Sequence, residues 1–145
     1  MKNTKLLAKE LISEEYQERL REIYVDEGVI AYQIKRYQGA IQKYEELFGE
    51  QEVEIYSAPG RSEVGGNHTD HQHGEVLAAS INLDAIAVVS KSDNDVIKLQ
   101  SEGYPMITVD LKNLEVQKGE KGTSAGLIRG MAYGLKKNGY KIGGF

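Results

Sequence analysis

The sequence predicts an α+β fold in which helices come first, strands follow, and a further helix lies near the end. Apolar residues recur at helical spacing through the first 50 residues, whereas apolar and polar residues alternate from residue 52 onward as in a half-buried strand. A glycine-rich helical pattern then follows at residues 122–139. The 145 residues suffice for one domain with a core, since domains usually contain about 100–200 residues.

Three helices are expected in the N-terminal third. Thr4 can cap a short first turn, and Ser13 can cap a second helix by accepting a hydrogen bond from an otherwise unpaired backbone N–H. Gly28 is expected to end that second helix, and a third helix runs to Gly49. The third helix carries an apolar stripe of Ile34, Tyr37, Ile41, Tyr44 and Phe48.

Strands are expected in the middle of the chain. Alternation predicts a half-buried strand from residue 52. The stretch VLAASINLDAIAVVS at residues 76–90 is nearly all apolar and rich in β-branched residues, which predicts buried central strands. DVIKLQS and MITVDLKNL read as two more strands. Five strands with no long helix between them favour a mostly antiparallel or mixed sheet.

The segment at residues 122–139 predicts a helix capped by Thr123 and stopped by Asn138 and Gly139. Glycine weakens a helix, so three glycines four residues apart make sense only where the backbone approaches a sheet or helix closely. The helix combines an apolar line of Leu127, Met131 and Leu135 with glycines at Gly126, Gly130 and Gly134. The final residues YKIGGF begin what reads as another strand, which suggests a fragment of something longer.

Composition narrows the class of function. A net charge of −4 with scattered lysines and arginines argues against nucleic acid as the main partner, because binding to phosphates needs a basic face. The absence of cysteine excludes disulfides, thiolate catalysis and Cys-ligated zinc. No long apolar run predicts a transmembrane helix, and the apolar centre of the N-terminus is too short for a signal peptide. A cytoplasmic location is therefore expected.

All three histidines lie in one stretch, APGRSEVGGNHTDHQHG at residues 58–74. It can be a plain connection between strands, although loops on rigid scaffolds often carry binding residues. Imidazole and carboxylate groups are also zinc ligands, so a metal-dependent hydrolase using His68, Asp70, His71 and His73 is one hypothesis. A serine nucleophile is disfavoured, because the sequence has no Gly-x-Ser-x-Gly elbow.

The same stretch resembles the galactokinase signature, roughly Pro-Gly-Arg-x-Asn, two hydrophobic residues, then Gly-Glu-His-Thr-Asp-Tyr-x-x-Gly. The resemblance extends over roughly residues 37–145. It implies a sugar kinase of the GHMP superfamily, whose N-terminal domain is a ribosomal-S5-like α/β sandwich. The matching residues are Pro59, Gly60, Arg61, Gly66, His68, Thr69, Asp70 and Gly74.

The resemblance implies transfer of the γ-phosphoryl group of ATP, with Mg²⁺, to the C1 hydroxyl of galactose or a related hexose. By position, Arg61 would be catalytic, facing the reacting hydroxyl and phosphoryl oxygens, where a fixed guanidinium stabilises developing charge. Asp70 would accept hydrogen bonds from sugar hydroxyls, and His68 would lie at the rim of the sugar. Glu63 and Asn67 complete the expected sugar-binding set.

Three positions depart from the signature. Glu63 stands where the family has Asn, Asn67 where it has a sugar-binding Glu, and His71 where it has Tyr. Replacing a carboxylate with an amide changes which hydroxyls can be recognised, so an N-acetylated or otherwise altered hexose is an alternative to galactose. Glu63 and His71 are also candidates for an ion pair that orders the loop, and His73 is expected to be exposed to solvent.

The resemblance divides the chain into an N-terminal helical extension at residues 1–50 and the N-terminal part of a sugar-binding kinase domain at residues 51–145. The sequence contains neither the family's Gly-Leu-Ser-Ser-Ser phosphate loop nor the catalytic Asp that follows it. The turn GEKGTS at residues 119–124 is a weak candidate for binding an anion. The isolated chain is thus expected to be inactive, and a non-catalytic sugar-binding or regulatory protein is the alternative. The oligomeric state is left open.

Overall fold

The computed structural model describes residues 1–66 and 70–145, with the backbone alone at Asp70. The chain divides into two units, Met1–Val89 and Ser90–Phe145. Helices and antiparallel strands occur together, which is consistent with the predicted α+β class. The finer assignment to a ribosomal-S5-like sandwich, and the predicted division after residue 50, stay predictions.

The first unit places helices beside a three-stranded antiparallel sheet of order β1-β2-β3. Two single-turn 3-10 helices, Glu27–Val29 and Asp70–Gln72, interrupt the longer elements. Those elements are β1 (Lys2–Asn3), α1 (Thr4–Glu10), α2 (Glu14–Tyr24), α3 (Ile30–Phe48), β2 (Glu52–Gly65) and β3 (Leu77–Val89).

The helix starts only partly follow the predicted caps. Ser13 caps α2 as predicted, with its Oγ accepting a hydrogen bond from the backbone N–H of Tyr16 at 3.4 Å. The predicted cap at Thr4 is wrong, because Asn3 Oδ1 accepts the hydrogen bond from the N–H of Lys5 at 3.0 Å. Thr4 is instead fully buried as the first residue of α1, where its hydroxyl donates to a carboxylate of α3.

The end of α2 also differs from the prediction. Helix α2 stops at Tyr24 rather than at Gly28, and the backbone turns at Val25 with φ of 64°. Gly28 lies in the following 3-10 turn, where its N–H donates to the side chain of Asp26 at 2.8 Å. A glycine therefore was not needed to end the helix, because Val25 adopts a positive φ itself.

The core of the first unit lies between the helices and one face of the hairpin formed by β2 and β3. The apolar stripe predicted for α3 is confirmed, since its members are buried or partly buried against this core. Partly buried Ile55, Ile86 and Val88 extend the core along the hairpin. The buried members are Leu7, Leu11, Leu20, Tyr24, Ile30, Tyr37, Ile41, Tyr44 and Val53.

The prediction of buried central strands at residues 76–90 is wrong. The segment forms a single strand of 13 residues, β3, whose residues, taken whole, are exposed or only partly buried. The reason is that, within the described residues, the helical core contacts β3 only near its end, at Ile86 and Val88. Its apolar composition thus reflects strand propensity more than burial.

The second unit consists of a two-stranded antiparallel sheet and one helix. The predicted strands are confirmed as β4 (Val96–Leu99) and β5 (Ile107–Asp110), and α4 spans Ser124–Lys137. The strand expected at YKIGGF is a single bridge between Gly144 and Ser92. The core of this unit consists of Ile97, Val109, Leu111 and Ala132.

Helix α4 begins and ends as predicted. Thr123 Oγ1 accepts a hydrogen bond from the N–H of Gly126 at 3.1 Å, and Gly139 follows the helix with φ of 83°. The expected close backbone approach occurs at Gly126 alone, where an added Cβ would clash with the carbonyl oxygen of Glu120. An added Cβ at Gly130 or Gly134 would meet no described atom within 4 Å, so the expectation is wrong there.

Within the described residues, every helix is too short or too polar to cross a membrane.

Candidate functional site

The candidate site lies toward the far end of the β2–β3 hairpin, beyond the part that the helices cover. Pairing places Pro59 opposite Asp84, Arg61 opposite Ser80 and Glu63 opposite Ala78. Because side chains alternate along a strand, these pairs share a face with the core pair Ile55 and Val88. The hairpin therefore presents Arg61 and Glu63 on a continuation of the core-facing surface.

A bulge in β3 sets the position of Arg61 along this face. The register moves from Pro59 opposite Asp84 to Arg61 opposite Ser80, so two steps on β2 match four steps on β3. Gly60 lies against the bulge, where an added Cβ would be 3.2 Å from the carbonyl oxygen of Leu83. The glycine before Arg61 thus allows a close approach of the two backbones, as bulges near functional residues often require.

The structure brings together two of the predicted site residues, Arg61 and Glu63. Arg61 Nη2 lies 3.6 Å from Glu63 Oε1. The Arg61 side chain is 68% exposed and the Glu63 side chain is 17% exposed. An ion pair of this kind contributes little to stability. Its consequence is to place an accessible guanidinium beside a largely covered carboxylate.

The two ends of the loop that follows β2 meet at Gly65 and Gly66, which we call the neck of the loop. Gly65 pairs with Leu77, and Gly66 adopts φ of 95°. A Cβ at Gly66 would clash with the backbone carbonyl of Glu75, so no other residue fits there without a shift of the backbone. The two ends of the loop are consequently held together immediately before the remaining predicted site residues.

The remaining predicted residues are only partly described. Asn67 and His68 lie outside the described residues, and Asp70 contributes backbone to the 3-10 turn Asp70–Gln72. His71 and His73 are both exposed, as predicted for His73. His73 adopts φ of 62°, a left-handed conformation in which histidine is enriched several-fold.

The metal hypothesis is not resolved by this geometry. Among the described side chains, no group of three or more His, Asp or Glu residues is arranged to hold a metal ion. The proposed ligand His68 and the side chain of Asp70 are outside that set. The metal-dependent hydrolase therefore stays a hypothesis.

A buried carboxylate that the sequence analysis missed lies at the boundary between the covered and open parts of the hairpin. The Asp84 side chain is 3% exposed and accepts hydrogen bonds from Tyr24 Oη at 2.8 Å and Ser57 Oγ at 2.6 Å. Arg36 Nη1 lies 2.6 Å from Asp84 Oδ1. The sequence did carry a signal, since Asp84 is a lone carboxylate inside an apolar strand. A charge that is buried in such a strand needs partners.

The surroundings of Asp84 keep it ionised. Burial alone would raise the pKa of the Asp84 carboxyl, but hydrogen bonds from Ser57, Arg36 and Tyr24 and the charge of Arg36 lower it below its usual range. Burial, together with the hydrogen bonds to Tyr37 and Asp84, raises the pKa of the Tyr24 phenol. Tyr24 consequently stays a neutral donor beside a charged acceptor.

An open pocket of about 440 Å³ adjoins this cluster. It lies on the same face of the hairpin as Arg61, between the end of α2 and the strands. Its lining combines apolar side chains with the polar groups of Ser57, Ser80, Asn82 and Asp84.

The turn at residues 119–124, the weak candidate for binding an anion, is held by contacts of its own. The turn at residues 119–124 leads into α4, but its helix start is already capped by Thr123. Glu120 brings a negative charge to the same turn and pairs with Arg129, with Arg129 Nε 2.7 Å from Glu120 Oε2. A carboxylate at this position disfavours an anion. These contacts explain GEKGTS as a structural turn.

Comparison with known proteins supplies independent evidence. Residues 42–91 match the family model described as the galactokinase galactose-binding signature. The galactokinase of Lactococcus lactis subsp. lactis is 35% identical over 105 residues, which cover 70% of this chain and 26% of the relative. The galactokinase of Streptomyces coelicolor is 26% identical and covers 71% of this chain and 27% of the relative.

A solved structure agrees with these relatives. The crystal structure of Lactococcus lactis galactokinase complexed with galactose matches with a TM-score of 0.63 at 35% identity, covering 71% of this chain and 27% of that one. The chain spans about a quarter of the length of the curated relatives it matches. The predicted resemblance is thereby confirmed: this chain carries the galactokinase galactose-binding signature and is similar to the N-terminal portion of galactokinases.

Proposed function

We propose that this chain forms the sugar-binding part of a galactokinase-type enzyme, which phosphorylates the C1 hydroxyl of galactose or a related hexose with ATP. The observation that carries the proposal is the galactose-binding signature at residues 42–91. It includes the β2–β3 hairpin, its bulge and the closed loop. The related crystal structure contains galactose, which supports galactose as the first sugar to test.

Sugar recognition is assigned to the loop that Gly66 closes. The two carboxylate oxygens of Asp70 would accept hydrogen bonds from neighbouring hydroxyls of the sugar. His68 and Asn67 would contact its rim. Asn67 has an amide where the family signature has a carboxylate, so it can donate as well as accept a hydrogen bond. This difference makes an altered hexose the alternative substrate.

Arg61 is assigned the catalytic role in this proposal. Its side chain is 68% exposed, so the guanidinium is accessible to a bound sugar. It can stabilise negative charge that develops on the sugar hydroxyl oxygen as the proton leaves. Glu63, whose Oε1 lies 3.6 Å from Arg61 Nη2, would help to orient the guanidinium toward the sugar.

ATP, Mg²⁺ and a cytoplasmic location belong to the proposal through the resemblance to bacterial galactokinases. The turn at residues 119–124 is held by contacts of its own, so we assign no residue of this chain to ATP. The proposed partner is a small-molecule sugar, with no nucleic acid or membrane required.

The second candidate is a non-catalytic sugar-binding or regulatory protein on the same fold. It rests on the same galactose-binding signature, which concerns the sugar and not the transfer of phosphate. Turnover of ATP by the native protein in the presence of galactose separates the two candidates. Sugar-dependent turnover supports the kinase, whereas sugar binding without turnover supports the second candidate.

The sugar site itself is tested with Asp70→Ala. Galactose at a hundred times its Kd should stabilise the unsubstituted protein by about 2.7 kcal/mol, because a ligand that binds the folded state shifts the unfolding equilibrium. Asp70→Ala should abolish the rise in melting temperature measured by differential scanning fluorimetry. Asp93→Ala, at an exposed bend of the second unit, is the matched control and should retain it.

Unchanged stabilisation of Asp70→Ala by galactose would contradict the assignment of the sugar site. The metal hypothesis is tested on the same preparation by elemental analysis of untagged protein. Near-stoichiometric metal would support a metal-dependent hydrolase, and metal-free protein that binds galactose would exclude it.

A further inference from the structure

Tyr24 is joined to the β3 bulge at two points. Its hydroxyl donates to Asp84 at 2.8 Å, and its backbone carbonyl accepts a hydrogen bond from Asn82 Nδ2 at 3.4 Å. Asp84 borders the bulge, and Asn82 lies inside it. We call these three residues, Tyr24, Asn82 and Asp84, the Tyr24 clamp. It connects the end of α2 to the segment of β3 that faces Arg61.

The backbone after Tyr24 is strained. The N–H of Asp26 donates to the carbonyl of Tyr24 at 2.7 Å, with Val25 between them at φ of 64° and ψ of −33°. This is close to the γ-turn of positive φ, which is rare and costly for a β-branched residue. Strain of this kind persists where the surrounding structure over-determines the backbone, and such places are often functional. Here it ends α2 with the Tyr24 carbonyl directed at Asn82.

The Asp84 carboxylate gives the clamp its rigidity. It accepts hydrogen bonds from α2, from Ser57 of β2 and from Arg36 of α3. Arg36 Nη2 also donates to the backbone carbonyl of Asp84 at 2.8 Å, which fixes the strand as well as the side chain. A carboxylate that is 3% exposed is costly unless it is fully paired, so this arrangement strongly favours one geometry.

We propose that Tyr24 and Asn82 are positioning residues for Arg61, which act by holding the β3 bulge against Gly60. The bulge occupies the β3 residues between the pairs Pro59–Asp84 and Arg61–Ser80, so a shift of the bulge moves the partner of Arg61. Gly60 leaves no spare space on that side. The inference rests on the proposed function, in which Arg61 faces the reacting hydroxyl of the sugar.

The positioning role is measured first without any ligand, by nuclear magnetic resonance of ¹⁵N-labelled protein. Tyr24→Phe removes one contact of the clamp while keeping the ring, and Asn82→Ala removes the other at an exposed position. Both should shift the signals of the Arg61 amide and its side-chain Nε–H. Tyr56→Phe is the matched control, because the Tyr56 hydroxyl contacts Glu54 at 2.6 Å and lies outside the clamp.

Unchanged Arg61 signals in both clamp variants would overturn the proposal. A merely structural role would lower the melting temperature and leave these signals in place, so melting temperatures are recorded alongside. Asn82→Ala provides the decisive result should Tyr24→Phe fail to fold, since Asn82 is exposed.

Galactose affinity provides the second measurement, taken well below the melting temperature of each variant. Tyr24→Phe should weaken binding about fivefold, as expected for two groups that are energetically coupled. In a chain that already carries Arg61→Ala, the same substitution should produce no further loss. Equal losses in both backgrounds would show that Tyr24 acts independently of Arg61, which contradicts the proposal.

The two measurements separate failure of the inference from failure of the proposed function. An unsubstituted protein that binds no galactose would contradict the proposed function alone. The Arg61 signals of the ligand-free protein then decide the positioning role, because they do not depend on the sugar.

Discussion

The two ends of the β2–β3 hairpin have the same antiparallel pairing but differ in what lies above them. At the covered end, Val53 is 1% exposed and packs with the helices. At the open end, Arg61 is 68% exposed, and β3 has no buried residue opposite it. The difference shows that strand pairing sets which residues share a face, whereas the reach of the helices sets which of them are buried.

Asp84 lies at the boundary between the two ends. Its carboxylate binds side chains of both α2 and α3 where these helices contact the hairpin. Beyond it the same face is open and carries the proposed site. The covered end is thus held by packing against the helices, and the open end, which continues the same two strands, carries Arg61.

The largest effect is expected from removing apolar contact at the covered end. Val53→Ala should lower the free energy of unfolding by about 2 kcal/mol, because it deletes buried methyl groups and leaves a cavity. The matched change Val64→Ala, on the same strand but 68% exposed, should stay within about 0.5 kcal/mol of the unsubstituted protein. Urea unfolding measures both. Equal losses would show that the open end is as tightly packed as the covered end.

A smaller effect is expected at the neck of the loop. Gly66→Ala should destabilise the protein by about 1–2 kcal/mol, because alanine is strained at positive φ and its Cβ would clash with the Glu75 carbonyl. Gly65→Ala is the matched control, since an added Cβ there meets no described atom within 4 Å. Thermal unfolding with and without galactose measures stability and sugar binding together. If Gly66→Ala left the stability unchanged, the close approach of Gly66 to the Glu75 carbonyl would not constrain the residue at this position.

The smallest effect is expected in the pH dependence of stability, which depends on Asp84 between the covered and open ends of the hairpin. The pKa of Asp84 lies below its ordinary value of 3.8, so its contribution to stability is present above that pH and is lost as pH falls through the lower folded value. Stability measured by urea from about pH 5 to about pH 2.5 should therefore fall more steeply in the unsubstituted protein than in Asp84→Asn. Asp93→Asn, at an exposed bend, should keep the steeper fall. Parallel curves for the unsubstituted protein and Asp84→Asn would contradict the shift.

Local sequence patterns predicted several elements well. The stripe on α3, the cap at Ser13 and the start of α4 at Thr123 follow from spacing and from side-chain hydrogen bonding within a few residues. The errors concern contacts between distant segments. The apolar stretch at residues 76–90 indicated burial, but the helices cover only its end near Ile86 and Val88.

The candidate site also combines local patterns, which the sequence predicted, with contacts between distant segments, which it did not. The signature stretch could be recognised from its residues, and the comparisons confirm that resemblance. The roles of Arg61, Glu63, Asn67, His68 and Asp70 stay predictions. The pairing of Asp84 with Tyr24 could not be predicted, because the two residues are 60 positions apart and a contact over that separation leaves no local pattern.

The sequence by itself determined the order of helices and strands, most helix caps and the family resemblance, because these depend on neighbouring residues. The tertiary structure alone decided which face of the hairpin the helices cover, where the bulge falls and how Asp84 is paired. The physical reason is that burial and hydrogen bonding of distant groups depend on how the elements pack, and packing is settled only when the whole unit folds.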